Sequence, residues 1–203
     1  MLFRSLAAFA HAYLHTGEDE YLDAATGVVD YLTGTLWTGE AFAASETPGG
    51  GIDEMAYADG NALAAAALLA LVSYTDDDRA KRYAERTLDY LAEELVDGAT
   101  VRHYAGDDAP EGLLADRARV VGAFATAAQV LDPDYLATAR TVADAAIDDL
   151  QDATGAFTDG PQTGAGMLDQ PLRPVDDSAT MADALVDLHH LTGEDRYLDA
   201  ARD

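Results

Sequence analysis

Apolar and polar positions along the chain describe two kinds of helix in alternation. In the first kind, Tyr135, Ala139, Val142 and Ala146 form one row, and Leu136, Ala143, Ile147 and Leu150 form the next. Asp144, Asp148 and Asp149 lie opposite. This is the pattern of a helix with one buried face. Ala84, Leu88, Leu91 and Leu95 repeat it. The second kind, over residues 2–14, 62–72 and 120–131, is apolar nearly all round, as expected of helices covered on both sides. The alternation predicts an all-α architecture of two concentric layers: an α/α toroid or a closely curved α-solenoid.

Internal repetition supports the same reading. Thr16-Gly17-Glu18-Asp19-Glu20-Tyr21-Leu22-Asp23-Ala24-Ala25 recurs as Thr192-Gly193-Glu194-Asp195-Arg196-Tyr197-Leu198-Asp199-Ala200-Ala201. Looser copies lead to Tyr83 and Tyr135, so the four tyrosines are spaced by 62, 52 and 62 residues. Each copy marks a tight turn and a new helix, with acids in the first turn where the helix dipole favours them. From each amphipathic helix to the next apolar one runs a short strand-like piece, at residues 37–43, 98–104 and 155–159, and then a loop rich in Gly and Pro. These links are expected on one side of the toroid, at the N-terminal ends of the inner helices. Residues 1–203 suit one domain of about three and a half helix pairs. A six-hairpin ring needs more, so the chain is expected to pair with another copy or to belong to a larger protein with missing domains.

Charge changes the picture of the environment more than of the fold. Thirty-eight acidic residues face twelve basic ones, for a net charge of −26, and Lys81 is the single lysine. The acids are spread over helix faces and loops rather than gathered in a tail. Such a surface repels itself in dilute buffer and is screened in molar salt, which points to a halophilic origin; an acidic surface for a basic partner is the alternative. With no basic stripe, no nucleic acid partner is expected. The absence of cysteine excludes disulfides and thiolate chemistry. The opening residues do not read as a secretory leader, and no apolar run reaches the roughly 18 residues of a membrane span. A cytoplasmic location with no membrane partner is the expectation.

Candidate chemistry gathers at the starts of the inner helices. Asp59, Asp116 and Asp177 open three of them. They read either as a ring of carboxylates at the mouth of a central cavity, suited to acid–base work or to sugar hydroxyls, or as N-caps. Asp116 is the least cap-like, and an Asp116–Arg119 pair pointing into the cavity is the leading catalytic candidate, with Asp59. Asn61, beside Asp59, joins the possible binding residues. Trp37, Phe42, Tyr104 and Phe157 in the links offer aromatic platforms for a sugar or, equally, hydrophobic closures of helix ends. His103 is the one loop histidine, a general acid or base or a surface residue without a role. No metal site or cofactor motif is expected: Asp53-Glu54 lacks the ligand spacing of a calcium loop, and Gly49-Gly50-Gly51 lacks the residues of a phosphate loop.

The alternating helices, the segment Leu113-Leu114-Ala115-Asp116-Arg117-Ala118 and the run from Pro171 to Ala179 resemble the C-terminal toroid of the thioredoxin-domain family typified by spermatogenesis-associated protein 20 (domain of unknown function 255). That family opens one inner helix with Asp-Tyr-Ala and a later one with Asp-x-Ala-x-Pro-Ser-Gly-Asn. Here Asp116-Arg117-Ala118 and Asp177-Ser178-Ala179 stand in those places, with Arg117 for the tyrosine and without the Pro-Ser-Gly-Asn run. The resemblance implies a six-hairpin toroid like those of the N-acylglucosamine 2-epimerase and glycosidase superfamily. It also implies a sugar ligand in the cavity and an upstream thioredoxin-like domain. A non-catalytic helical scaffold for a protein partner is the alternative function.

Overall fold

The computed structural model describes residues 2–161 and 172–202. Four helical hairpins follow one another: α1 (Leu2–Thr16) with α2 (Asp19–Tyr31), α3 (Ala58–Thr75) with α4 (Asp78–Tyr90), α5 (Leu114–Val130) with α6 (Leu136–Leu150), and α7 (Val175–Thr192) with α8 (Asp195–Arg202). The first members pack side by side in the order α1, α3, α5, α7, and each second member lies on the helix before it. This is the two-layered arc of an α/α toroid.

The layers follow from the apolar pattern. Ten residues of α3 and ten of α5 are buried, most of them alanines and leucines around the helix circumference, because each has an inner neighbour on both sides and an outer helix behind. α1, at the end of the arc, buries only Leu6 and Ala10 and leaves Leu2 and Leu14 exposed. It has one inner neighbour, so its second side is not covered as the sequence pattern suggests. α3 is also longer than its apolar run at 62–72. At 18 residues it is long and apolar enough to cross a membrane by length and composition, and here α1, α4 and α5 pack around it.

Three of the four tight turns between inner and outer helices end the inner helix on a left-handed residue, which satisfies a carbonyl of the last turn. Gly17 (φ 69°) and Gly193 (φ 72°) hold this place in the first and last hairpins, and Asp76 (φ 55°) holds it in the second. Asp is one of the few side-chain-bearing residues that enter this region readily. Asp77 then caps α4, its carboxylate accepting from the Arg79 and Ala80 amides at 2.8 and 2.9 Å.

The links contain short strand-like pieces, in part where they are expected and in part at 45–53, where the sequence pattern reads as a loop. β1 (Ser45–Glu46) pairs with β2 (Ile52–Asp53), and β3 (Val96–Asp97) with β4 (Thr100–Val101), both antiparallel. Single bridges join Trp37 to Phe42 and Gln151 to Phe157. The sequence pattern does not show that α2 and α4 each run on into one π-helical turn, Leu32–Leu36 and Leu91–Leu95, which buries a leucine at both ends.

Candidate functional site

Backbone carbonyls of the links close the N-terminal ends of the inner helices. The first amide of α3, Ala58 N–H, donates to the His103 carbonyl at 2.8 Å, and that of α5, Leu114 N–H, donates to the Asp159 carbonyl at 2.9 Å. In both cases donor and acceptor are 45 residues apart (58 to 103, 114 to 159), so each link reaches back over the preceding inner helix. One consequence is chemical. The N-cap residues are Tyr57, Leu113 and Pro174, none of which makes a side-chain cap bond. The carboxylates of Asp59, Asp116 and Asp177 therefore sit inside the first turns and are not caps, contrary to one of the two sequence readings.

Asp116 is fully buried, with no exposed side-chain surface, and both its oxygens lie 3.0 Å from His103 Nδ1. Burial drives its carboxyl upward to about 6, against the opposing pull of the His103 hydrogen bond and charge; the neighbouring Asp59 charge adds to the rise. His103 keeps 29% of its side-chain surface exposed. Its ring lies over Tyr57, with centroids 4.7 Å apart and planes tilted by 32°, and Tyr104 meets both rings edge-on. The histidine backbone is held at both ends, since its N–H donates to the Pro110 carbonyl at 2.8 Å while its own carbonyl receives Ala58.

Asp59 completes the cluster, with its Oδ1 accepting from Gly60 N–H at 2.7 Å. Asp59, His103 and Asp116 each bring one potential ligand atom within 4.8 Å of the others, the composition of a small divalent-cation site. The Asp116 oxygens also face the histidine ring nitrogen, so the same three residues form a hydrogen-bonded histidine–carboxyl pair with a second carboxylate beside it.

The expected Asp116–Arg119 pair does not form. The Asp116 carboxylate turns toward the link and His103, whereas Arg119 lines a 160 Å³ groove on the concave face between α3, α5 and α7, with Thr126, Thr180, Asp183 and Asp187. Asp177 and Asp59 both act on the Arg119 charge from neighbouring first turns, and so does Arg4 of α1. The mouth is thus a mixed ring of acids and arginines rather than a ring of carboxylates.

Other expected binding residues are structural. Asn61 is buried, and its amide is consumed by the backbone: Oδ1 accepts Phe42 N–H at 2.8 Å, and Nδ2 donates to the Phe42 and Tyr57 carbonyls at 3.0 Å each. Phe42 and Phe157, at 1% and 3% exposure, are core residues with no surface for a ligand. Trp37 packs edge-on against Phe42 and Tyr83 under the Arg86 guanidinium, on the outer-helix side. Of the aromatic candidates only Tyr104 belongs to the cluster. Tyr57 and Arg4 join the site without having been singled out from sequence. Tyr57 stands directly before an inner helix, which is the one signal that marks it.

No protein-family model matches the chain, and no curated protein matches it in sequence. Solved structures do match in fold. A family 76 glycoside hydrolase (mannosidase) from Bacteroides thetaiotaomicron superimposes on 98% of the chain with a TM-score of 0.79 at 18% identity. Cellobiose 2-epimerase from Bacillus thermoamylovorans does so on 98% with a TM-score of 0.83 at 14% identity. A family 76 α-1,6-mannanase from Salegentibacter covers 98% with a TM-score of 0.78 at 16% identity. The chain spans 56%, 57% and 57% of those three structures, just over half of each. Fold and layering together define an arc of an α/α toroid, the fold of these neighbours.

Proposed function

We propose that the chain is part of a sugar-processing toroid in which His103 carries out proton transfer at the mouth of the inner ring. The observation that carries this reading is the wholly buried Asp116 carboxyl on His103 Nδ1, at the N-terminal ends of inner helices. Asp116 has no exposed surface and cannot meet a substrate; it is a positioning residue. By accepting from Nδ1 it fixes the tautomer and leaves Nε2 of the partly exposed ring for the ligand. Nε2 takes a proton from a sugar hydroxyl or an acidified C–H, and Asp116 stabilises the imidazolium that results. Asp59, beside the pair, is the second carboxylate for a hydroxyl or for developing positive charge. That the neighbours in fold are named as mannosidases and a cellobiose epimerase supports a neutral or modified hexose as the substrate core.

The uniformly acidic surface supports a protein adapted to high salt. The resemblance at Asp116-Arg117-Ala118 supports a relation to the spermatogenesis-associated protein 20 type, with further domains, a second copy or the remaining hairpins completing the ring in a cytoplasmic protein.

The test is turnover of α-1,6-mannobiose and cellobiose by the chain in concentrated KCl, followed by product analysis. His103→Ala should lower the rate by about 10²–10⁴-fold, and Asp116→Asn should lower kcat with little change in KM. Wild-type rates in the His103→Ala protein would overturn the assignment.

A further inference from the structure

Asp59, His103 and Asp116 come from α3, a link and α5, so no local spacing in the sequence announces them as a set. Each brings a donor atom within 4.8 Å of the other two, the span of one coordination sphere. A four-coordinate ion with bonds of about 2.0–2.1 Å holds its ligand atoms roughly 3.3 Å apart. The Asp116 oxygens already stand 3.0 Å from His103 Nδ1. Both oxygens are aimed at that one nitrogen, and a neutral imidazole has a single N–H to offer there. The carboxylate has no exposed surface, so bulk water does not make up the difference. Charge points the same way. Two carboxylates beside a neutral imidazole carry two negative charges, which one divalent cation cancels. The starts of α3 and α5 oppose a cation, but at about half a unit charge each they offset only about half of that negative charge. Their first amides are also already bonded to the His103 and Asp159 carbonyls.

We propose that Asp59, His103 and Asp116 form a binding site for one divalent transition cation of the Zn²⁺ type. An imidazole nitrogen with two carboxylate oxygens suits such an ion, whereas Mg²⁺ and Ca²⁺ favour oxygen alone. Three protein ligands leave a coordination position for water or for a ligand oxygen. Asp59 and His103 are only partly buried, which gives the ion a way in. The His103 ring is set in advance: Tyr57 lies against it, and its backbone is bonded to Pro110 and Ala58. Such outer contacts orient imidazole ligands. The site goes beyond the proton-transfer reading, because an ion on the nitrogen that faces Asp116 takes the place of the shared proton there.

The experiment is titration of the EDTA-stripped chain with cobalt(II) chloride, a coloured probe for such ions, in about 2 M KCl, which screens the diffuse pull of the acidic surface. Calorimetry and visible absorption should both report a single Co²⁺ per chain that an excess of Mg²⁺ does not displace. His103→Ala and Asp59→Ala should each weaken binding by about tenfold or more, with helical circular dichroism unchanged. Asp108→Asn, which removes an exposed acid of the same link, should leave it as it is. Asp59→Ala keeps the histidine–carboxyl pair intact, so its result stands even if His103→Ala does not fold. Absence of a saturable site, binding that survives Asp59→Ala in full, or displacement by Mg²⁺ would overturn the metal site. The proton-transfer reading would then still stand, since sugar turnover decides it separately.

Discussion

His103 Nδ1 stands 3.0 Å from both carboxylate oxygens of Asp116, so one ring proton is shared between two acceptors of a carboxyl group that water does not reach. The two residues are 13 positions apart, one in a link and one in α5, and the contact exists only when the link folds back over the inner helices.

The Asp116 carboxyl gives stability a pH dependence of known sign. Its native value is raised from 3.8 to about 6, so the folded chain binds its proton more tightly than the unfolded chain. The stabilisation is greatest at and below pH 3.8 and is lost as pH rises to about 6, after which it is flat. Integrated over that window the loss is about 3 kcal/mol as an upper bound. Other carboxylates titrate in the same range, so the measurement is the difference between wild type and Asp116→Asn in urea unfolding from pH 4 to 7. That difference should fall with pH; one that is flat, or that rises, would contradict the burial argument.

Asn61→Ala should destabilise the chain by about 2–4 kcal/mol, because the buried N–H and carbonyl of Phe42 both lose their partner. An equilibrium urea curve in concentrated KCl reads this directly. A cost below about 0.5 kcal/mol would mean that water enters the link and replaces the amide.

Arg117 is 4% exposed; it reaches the Ala145 carbonyl at 3.0 Å and Asp149 at 2.9 Å, and its buried Nε has no hydrogen-bond partner among the described residues. Arg117→Ala should cost about 3 kcal/mol through the cavity and the lost pair, whereas Arg117→Met, which keeps the volume, should lie within about 1 kcal/mol of wild type or above it. Equal losses in both variants would show that the charge itself holds α6 against α5.

The net charge of −26 predicts that helical circular dichroism falls when KCl is dialysed below about 0.5 M, where repulsion is no longer screened. Cooperative unfolding that persists unchanged in dilute buffer would remove the case for salt adaptation.

The layered fold is legible in the sequence because burial leaves a periodic trace: apolar rows in α4 and α6, apolar surfaces in α3 and α5. The site is only partly legible. His103 and Asp116 are visible as candidates, but their partnership depends on a link folding over a helix, which has no period. Asp59 and Asp177 read as N-caps because Asp favours that position. Their actual place inside the first turn follows from helix starts at Ala58 and Val175, and α3 takes its capping carbonyl from the link that follows its own hairpin. Aromatic residues carry no mark that separates Phe42 in the core from Tyr104 at the mouth.

The carbonyl of His103 ties the start of α3 while its ring holds a carboxyl of α5. The histidine is therefore a strut between adjacent hairpins, and the reach of its free nitrogen is tied to the curvature of the ring. Anything that opens or tightens the arc, such as a neighbour docking at its edge, would shift the ring of His103 relative to the mouth without touching it.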